Sequence, residues 1–236
     1  MPKSSYAQHL LGMTLEERFP IAARLARKFL RGETAGVRKT IRGQGNILEA
    51  DGTTFSGMVL DIIGDNNRIT IGAGSVLSNV HIRIRGCGQS IEFGRNCRIS
   101  RGASLWFEDE NCILQVGPNT SMVEVHIAVT EPGSKVIIGE DCMFANDIDI
   151  RTGDTHSVID ARTGERLNKA GDVIIGNHVW IAPHVVILKG VHIGENSVVA
   201  TGSVVTKSCG SGVIIGGNPA SELKSGISWK RERLPR

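Results

Sequence analysis

Between Ile175 and Lys207 the apolar positions recur every six residues, at Ile175, Ile181, Ile187, Ile193, Val199 and Val205. A second row of small or branched residues, Val179, Val185, Val191, Ser197 and Ser203, keeps the same interval. Six is neither the 3.6 of a helix nor the 2 of an ordinary strand. It is the period of a parallel β-helix, where short strands and tight turns repeat and each aliphatic residue stacks on its equivalent one coil away.

A longer period extends this reading toward the N-terminus. An apolar residue followed by glycine recurs at Ile71-Gly72, Phe93-Gly94, Val116-Gly117, Ile138-Gly139, Ile175-Gly176, Ile193-Gly194 and Ile215-Gly216, in steps of 22, 23, 22, 37, 18 and 22. Three hexapeptides take 18, so the early coils are expected to carry small bulges at one corner. The step of 37 must contain a coil plus a protruding loop, placed at residues 151–172, whose sequence is polar and turn-rich. Loops thrown out from a rigid scaffold are where function tends to sit.

The first 36 residues follow another pattern. Thr14 and Glu17 form a capping box, and Leu15, Phe19, Ala22, Ala26, Phe29 and Leu30 fall on one helical face. The expectation is a helical cap over 1–36, a β-helix domain over 37–220 and a C-terminal tail over 221–236. The other reading of residues 14–31, basic through Arg18, Arg24, Arg27, Lys28 and Arg31, is a peripheral membrane contact.

Composition narrows the class. Twenty-nine glycines and only 4% aromatic residues suit a narrow prism with tight corners. A formal charge of +3 is too small to imply nucleic acid. Five cysteines without a C-x-x-C pair read as reduced thiols, which implies the cytoplasm, extending to the inner membrane face if residues 14–31 bind lipid.

The segments DTHSVID, IGNHVWIAPHVVILKGVHIG, VVTK and GGNPA resemble the left-handed β-helix (hexapeptide-repeat) acyltransferases, in particular the galactoside and maltose O-acetyltransferases and those that acetylate capsule and O-antigen polysaccharides. The resemblance is dense over residues 138–220 and thinner before that. It implies a left-handed coil, a homotrimer, acetyl-CoA as co-substrate with no metal, and direct O-acetylation of a sugar or bacterial surface polysaccharide.

The resemblance also implies site residues. His156, 24 residues before Trp180, matches the family's catalytic His and following Trp, and would act as general base on the sugar hydroxyl. Asp154 either orients that imidazole or serves an Asx turn. Trp180, Ala182, Thr201, Thr206 and Lys207, with Lys224 as a phosphate contact, are expected to line the CoA groove between neighbouring prisms. The alternative for Thr201, Thr206 and Lys207 is a solvated coil corner, and for Trp180 packing at the trimer seam. Ala182 stands where relatives commonly have Gly, and Ser208 and Ser221 replace commonly acidic and basic residues. Glu124, His126, Glu131, Asn146 and Asp147, one coil from the loop, are expected to meet the acceptor.

Other readings stay open on the same scaffold. N-acetylation of an amino sugar and O-acetylation of serine would use the same His. A non-catalytic scaffold lacks a reason for His156 and the GNPA tail. A zinc site like that of β-helix carbonic anhydrases needs a His-x4-His pair, whereas His178 and His184 are six apart on successive faces.

Overall fold

The computed structural model describes residues 36–235, so the expected N-terminal helix lies outside the described residues. The chain winds into a three-faced parallel β-helix, with no helix among the described residues. Eight strands stack on face A, from Val37–Arg42 to Val204–Val205. Seven stack on face B, from Ile47–Glu49 to His192–Ile193, and nine on face C, which begins at Thr54–Ser56. Face C closes with Val213–Gly217, which turns back as the antiparallel strand Ala220–Ser225. The residues read as the start of a tail therefore belong to the last sheet.

The hexapeptide rows become the core. On face A, Leu60, Ile82, Leu105, Ile127, Ile150, Ile187 and Val205 stack in register, each buried. Face B contributes Ile71, Phe93, Val116, Ile138, Ile175 and Ile193 in the same way. Each fully buried aliphatic side chain of this kind contributes about 1.5–3 kcal/mol relative to exposure.

The apolar-glycine markers have a steric cause. All of these glycines but Gly216, which follows Ile215 on face C, follow a face B residue, where the backbones of successive coils nearly touch. A Cβ on Gly72 would lie 2.6 Å from the amide nitrogen of Arg95, and on Gly117 2.5 Å from that of Glu140. At Gly139 it would lie 2.7 Å from the amide nitrogen of Asn177. None of these glycines has positive φ, so close approach is what excludes a side chain.

The extra residues of the early coils do not form the expected corner bulges. They lengthen face A, whose strands run to eight residues at Val80–Cys87 and Ala103–Glu110 but to two at Val186–Ile187. Alternation carries the sequence through these longer strands, apolar inward and polar outward, so they widen the face without breaking the ladder. At the corner from A to B, buried Asn67 and Gln89 form a ladder: Gln89 donates its backbone N–H to Asn67, and Cys112 donates its own to Gln89, both at 2.9 Å. The five cysteines are free thiols; burial pushes Cys142 up to about 11.

Candidate active site

The strand Ile148–Arg151 is the face A strand and Val173–Ile175 the face B strand of one coil, so the loop between them issues from the corner between these faces. It folds back on itself as a short hairpin. Ile159 and Arg166 bridge antiparallel, and Leu167 donates its N–H to the Val158 carbonyl at 2.8 Å. Asp160 caps the tip, accepting the N–H groups of Arg162 and Thr163 at 2.8 Å each.

Two side chains tie the hairpin to the coils, and a third braces its base. Arg166 donates to both carboxylate oxygens of Glu131, at 2.9 and 2.5 Å. Lys189 reaches up from the next coil to the carboxylate of Asp154 and to the Asn168 carbonyl, the latter at 3.1 Å. The Asn168 amide donates to Asp154 at 2.8 Å and to the His156 carbonyl at 2.7 Å. The His156 N–H donates to the Asp154 carbonyl at 2.7 Å. Both backbone polar groups of His156 are thus fixed, and its side chain is exposed.

Among the described residues the Asp154 carboxylate is held by Lys189 and Asn168, and the His156 ring is not among its partners. The Lys189 hydrogen bond holds the Asp154 carboxyl below its usual range, so it stays an anion. Beside the hairpin base lies a cavity of about 320 Å3. Thr155 and Ser157, on either side of His156, line it together with Glu108, Thr130, Glu131 and Arg166.

The structure divides the other expected residues. Glu131 lies at the loop corner, where Arg166 engages it. Glu124, Asn146 and Asp147 lie at the opposite corner, before face A, and Asp147 accepts from or pairs with His184 Nδ1 at 2.7 Å. His126 sits between them on the outer side of face A, its Nδ1 3.3 Å from Asp149 Oδ2. Trp180 is on face C, and Ala182 and Thr201 follow at the corner from C to A on successive coils. Thr206 and Lys207 follow the last face A strand instead, and Lys224 pairs with Ile214 at the end of face C. Thr201, Thr206, Lys207 and Lys224 are all exposed.

His156 and Trp180 are consequently not neighbours in one chain. His156 leaves from the corner between faces A and B, and face C, which carries Trp180, is the side of the prism opposite that corner.

A family model for bacterial transferase hexapeptide (six repeats) matches residues 172–207. The polysialic acid O-acetyltransferase of Neisseria meningitidis is 35% identical over 147 residues, 54% of this chain and 68% of that protein. The chain belongs to the hexapeptide-repeat acyltransferases. The crystal structure of the polysialic acid O-acetyltransferase OatWY superposes with a TM-score of 0.79 at 33% identity, covering 84% of this chain and 93% of that one. The galactoside O-acetyltransferase of Escherichia coli K12 is 37% identical over 94 residues, 38% of this chain and 43% of that protein. The protein is an acyltransferase built on the left-handed parallel β-helix of that family.

Sequence reasoning did not find the residues that fix the acyltransferase's loop. Asn168 and Lys189 carry no motif, and their partners are 12 to 35 residues distant. The signal available was Glu131, singled out for the acceptor and seen here as the partner of Arg166.

Proposed function

We propose that the enzyme transfers the acetyl group of acetyl-CoA to a hydroxyl of a sugar unit in a bacterial surface polysaccharide, at sites shared between the chains of a homotrimer. What carries this reading is the placement of His156 and Trp180 on opposite sides of one prism. A site that uses both needs His156 from one copy and Trp180 from its neighbour. The acceptor class follows the polysialic acid O-acetyltransferases that the chain resembles over most of its length.

His156 is the general base. Its neutral imidazole takes the proton of the acceptor hydroxyl as the oxygen attacks the thioester carbonyl, forming a new C–O bond. The tetrahedral intermediate collapses with cleavage of the C–S bond, and the imidazolium returns its proton to the departing CoA thiolate. A thiol's pKa of about 8.5 makes that sulfur a good leaving group, so no covalent enzyme intermediate is needed. The residues that fix His156's backbone supply orientation, and the hydroxyls of Thr155 and Ser157 on the cavity wall meet the acceptor's own hydroxyls. Trp180, Ala182, Thr201, Thr206 and Lys207 line the CoA groove, with Lys224 as a phosphate contact. We place the reaction in the cytoplasm, with residues 14–31 as cap or membrane contact. No helix among the described residues is long and apolar enough to cross a membrane.

The test is thiol release from acetyl-CoA over a panel of sugars and polysaccharide fragments, with wild type and His156→Ala compared. Release that needs both the acceptor and His156 supports the reading. Acceptor-dependent release unchanged in His156→Ala removes His156 from the mechanism. An amino-sugar or serine acceptor giving the release would redirect it to N-acetylation or serine acetylation.

A further inference from the structure

The residues after the last strand turn back along face C. Ile227 donates its N–H to the Gly212 carbonyl at 3.0 Å, and Trp229, 7% exposed, drops onto the coil that carries Trp180. Its ring stacks on His178 at 4.2 Å between centroids and 9° between planes. Its other neighbour is Trp180, 6.1 Å away and tilted by 47°. Trp229 Nε1 donates to the His178 carbonyl at 2.7 Å, and the Trp229 carbonyl faces His178 Nε2 at 2.9 Å. Two residues on, Arg231 donates to Asp141 at 2.9 Å, to Ser121 at 2.9 Å and to the Cys142 carbonyl at 2.9 Å. One short segment thus spans three successive coils of face C.

We propose that Trp229 is a positioning residue for the CoA groove, holding Trp180 in the orientation that receives the cofactor. This rests on the assignment of Trp180 to that groove. Trp180 projects outward and half-buried from a two-residue strand, with Met143 and Val198 as its neighbours in register. Those aliphatic chains leave an indole free to turn about its side-chain bonds, and Trp229 closes that freedom from the side. The cost of ordering the ring is then met in the free enzyme and not on binding.

The clasp also engages both ring nitrogens of His178. Its two ring nitrogens face two acceptors, the Trp229 carbonyl and the Asp141 carboxylate, the latter at 2.8 Å from Nδ1. Burial pushes the Asp141 carboxyl up, but hydrogen bonds from His178 and Arg231 outweigh it and hold it below its usual range. Asp141 and Arg231 are the charged groups facing this end of the clasp.

Calorimetry of CoA binding to the full-length protein, with wild type, Trp180→Ala, Trp229→Phe and Trp229→Ala compared, tests the assignment. Trp229→Ala is expected to weaken CoA binding about tenfold while the KM for the acceptor changes less than about twofold, with Trp229→Phe retaining most of the affinity. Unchanged CoA affinity in folded Trp229→Ala overturns the proposal, as does an equal loss for CoA and acceptor. Weak CoA binding by wild type, or indifference to Trp180→Ala, would instead bring down the groove assignment beneath it. If Trp229→Ala does not fold, Trp229→Leu takes its place, filling the space without the stacked ring, and is read by the same outcomes.

Discussion

The coils before residue 134 and those after residue 172 solve the same packing problem differently. The late coils approach the minimum, 18 residues from Ile175 to Ile193 and from Ile187 to Val205, with two-residue strands such as Val186–Ile187 and Val198–Val199 and valine or serine at the corners. The early coils are broader and spend their extra residues on face A, whose outer side carries charge. Asp61 accepts from Arg85 at 2.6 Å, and Arg83 lies 5.3 Å over the Trp106 ring. The corresponding outward positions of the late coils are Val186 and Val204. The inner rows are alike in both regions, so the core tolerates either width. What the widening adds is polar surface on the face that leads to the loop, while the narrow coils present aliphatic and aromatic surface near Trp180.

The loop stands at the junction of the two regions, and the sharpest way to break the comparison is there. His156→Ala should lower turnover by roughly two to four orders of magnitude without altering the thermal midpoint, measured by thiol release and by circular dichroism. A midpoint that drops with the rate would make His156 part of the scaffold.

Next comes the glycine stack that both regions share. Gly139→Ala places a methyl against the Asn177 amide and side-chain oxygen, with no room to relax, and should cost about 3 kcal/mol in denaturant unfolding. Gly133→Ala meets nothing within 4 Å, and its φ of +74° should limit the cost to about 1–2 kcal/mol. Equal costs would show that conformation, and not coil spacing, sets the glycine requirement.

Loosening the loop is expected to act on rate more than on stability. Glu131→Gln weakens the Arg166 tie, and turnover should fall about tenfold as His156 loses its placement, with faster proteolytic nicking between residues 154 and 170. Unchanged nicking would mean that Lys189 and Asn168 suffice to hold the hairpin.

The smallest expected effect lies on the border of face A. Burial pushes the Asp149 carboxyl up, but hydrogen bonds from His126 and Arg151 win and hold it at about 2. A carboxyl held below its unfolded value of about 4 stabilises the fold fully above that pH and loses the contribution as pH falls toward 2. Acid unfolding of wild type should therefore show a component between about pH 4 and 2 that Asp149→Asn lacks.

Much of this architecture is legible in the sequence because its contacts repeat at fixed separation. Ile175, Ile181 and Ile187 announce three faces of one coil, and the 37-residue step places the loop between Arg151 and Val173. His156 stands out by its spacing from Trp180. The tail was not legible: Trp229 meets His178 across 51 residues, and Arg231 meets Ser121 across 110, separations that no period links. The acceptor residues were grouped by step count alone, which fixes the coil but not the corner. Hence Glu131 and Asp147, near each other in that count, stand at opposite ends of face A.

A stack of coils held by identical backbone pairing is in principle a polymer with no last unit, since each finished face offers its edge to the next strand. Here face C ends by reversing direction. The strand Ala220–Ser225 runs antiparallel to Val213–Gly217, breaks register between Ile214 and Ile215, and turns Glu222 and Lys224 toward solvent. An incoming parallel strand from another molecule would find the wrong polarity and a charged rim. The hairpin is a terminator for a structure that could otherwise keep growing end to end.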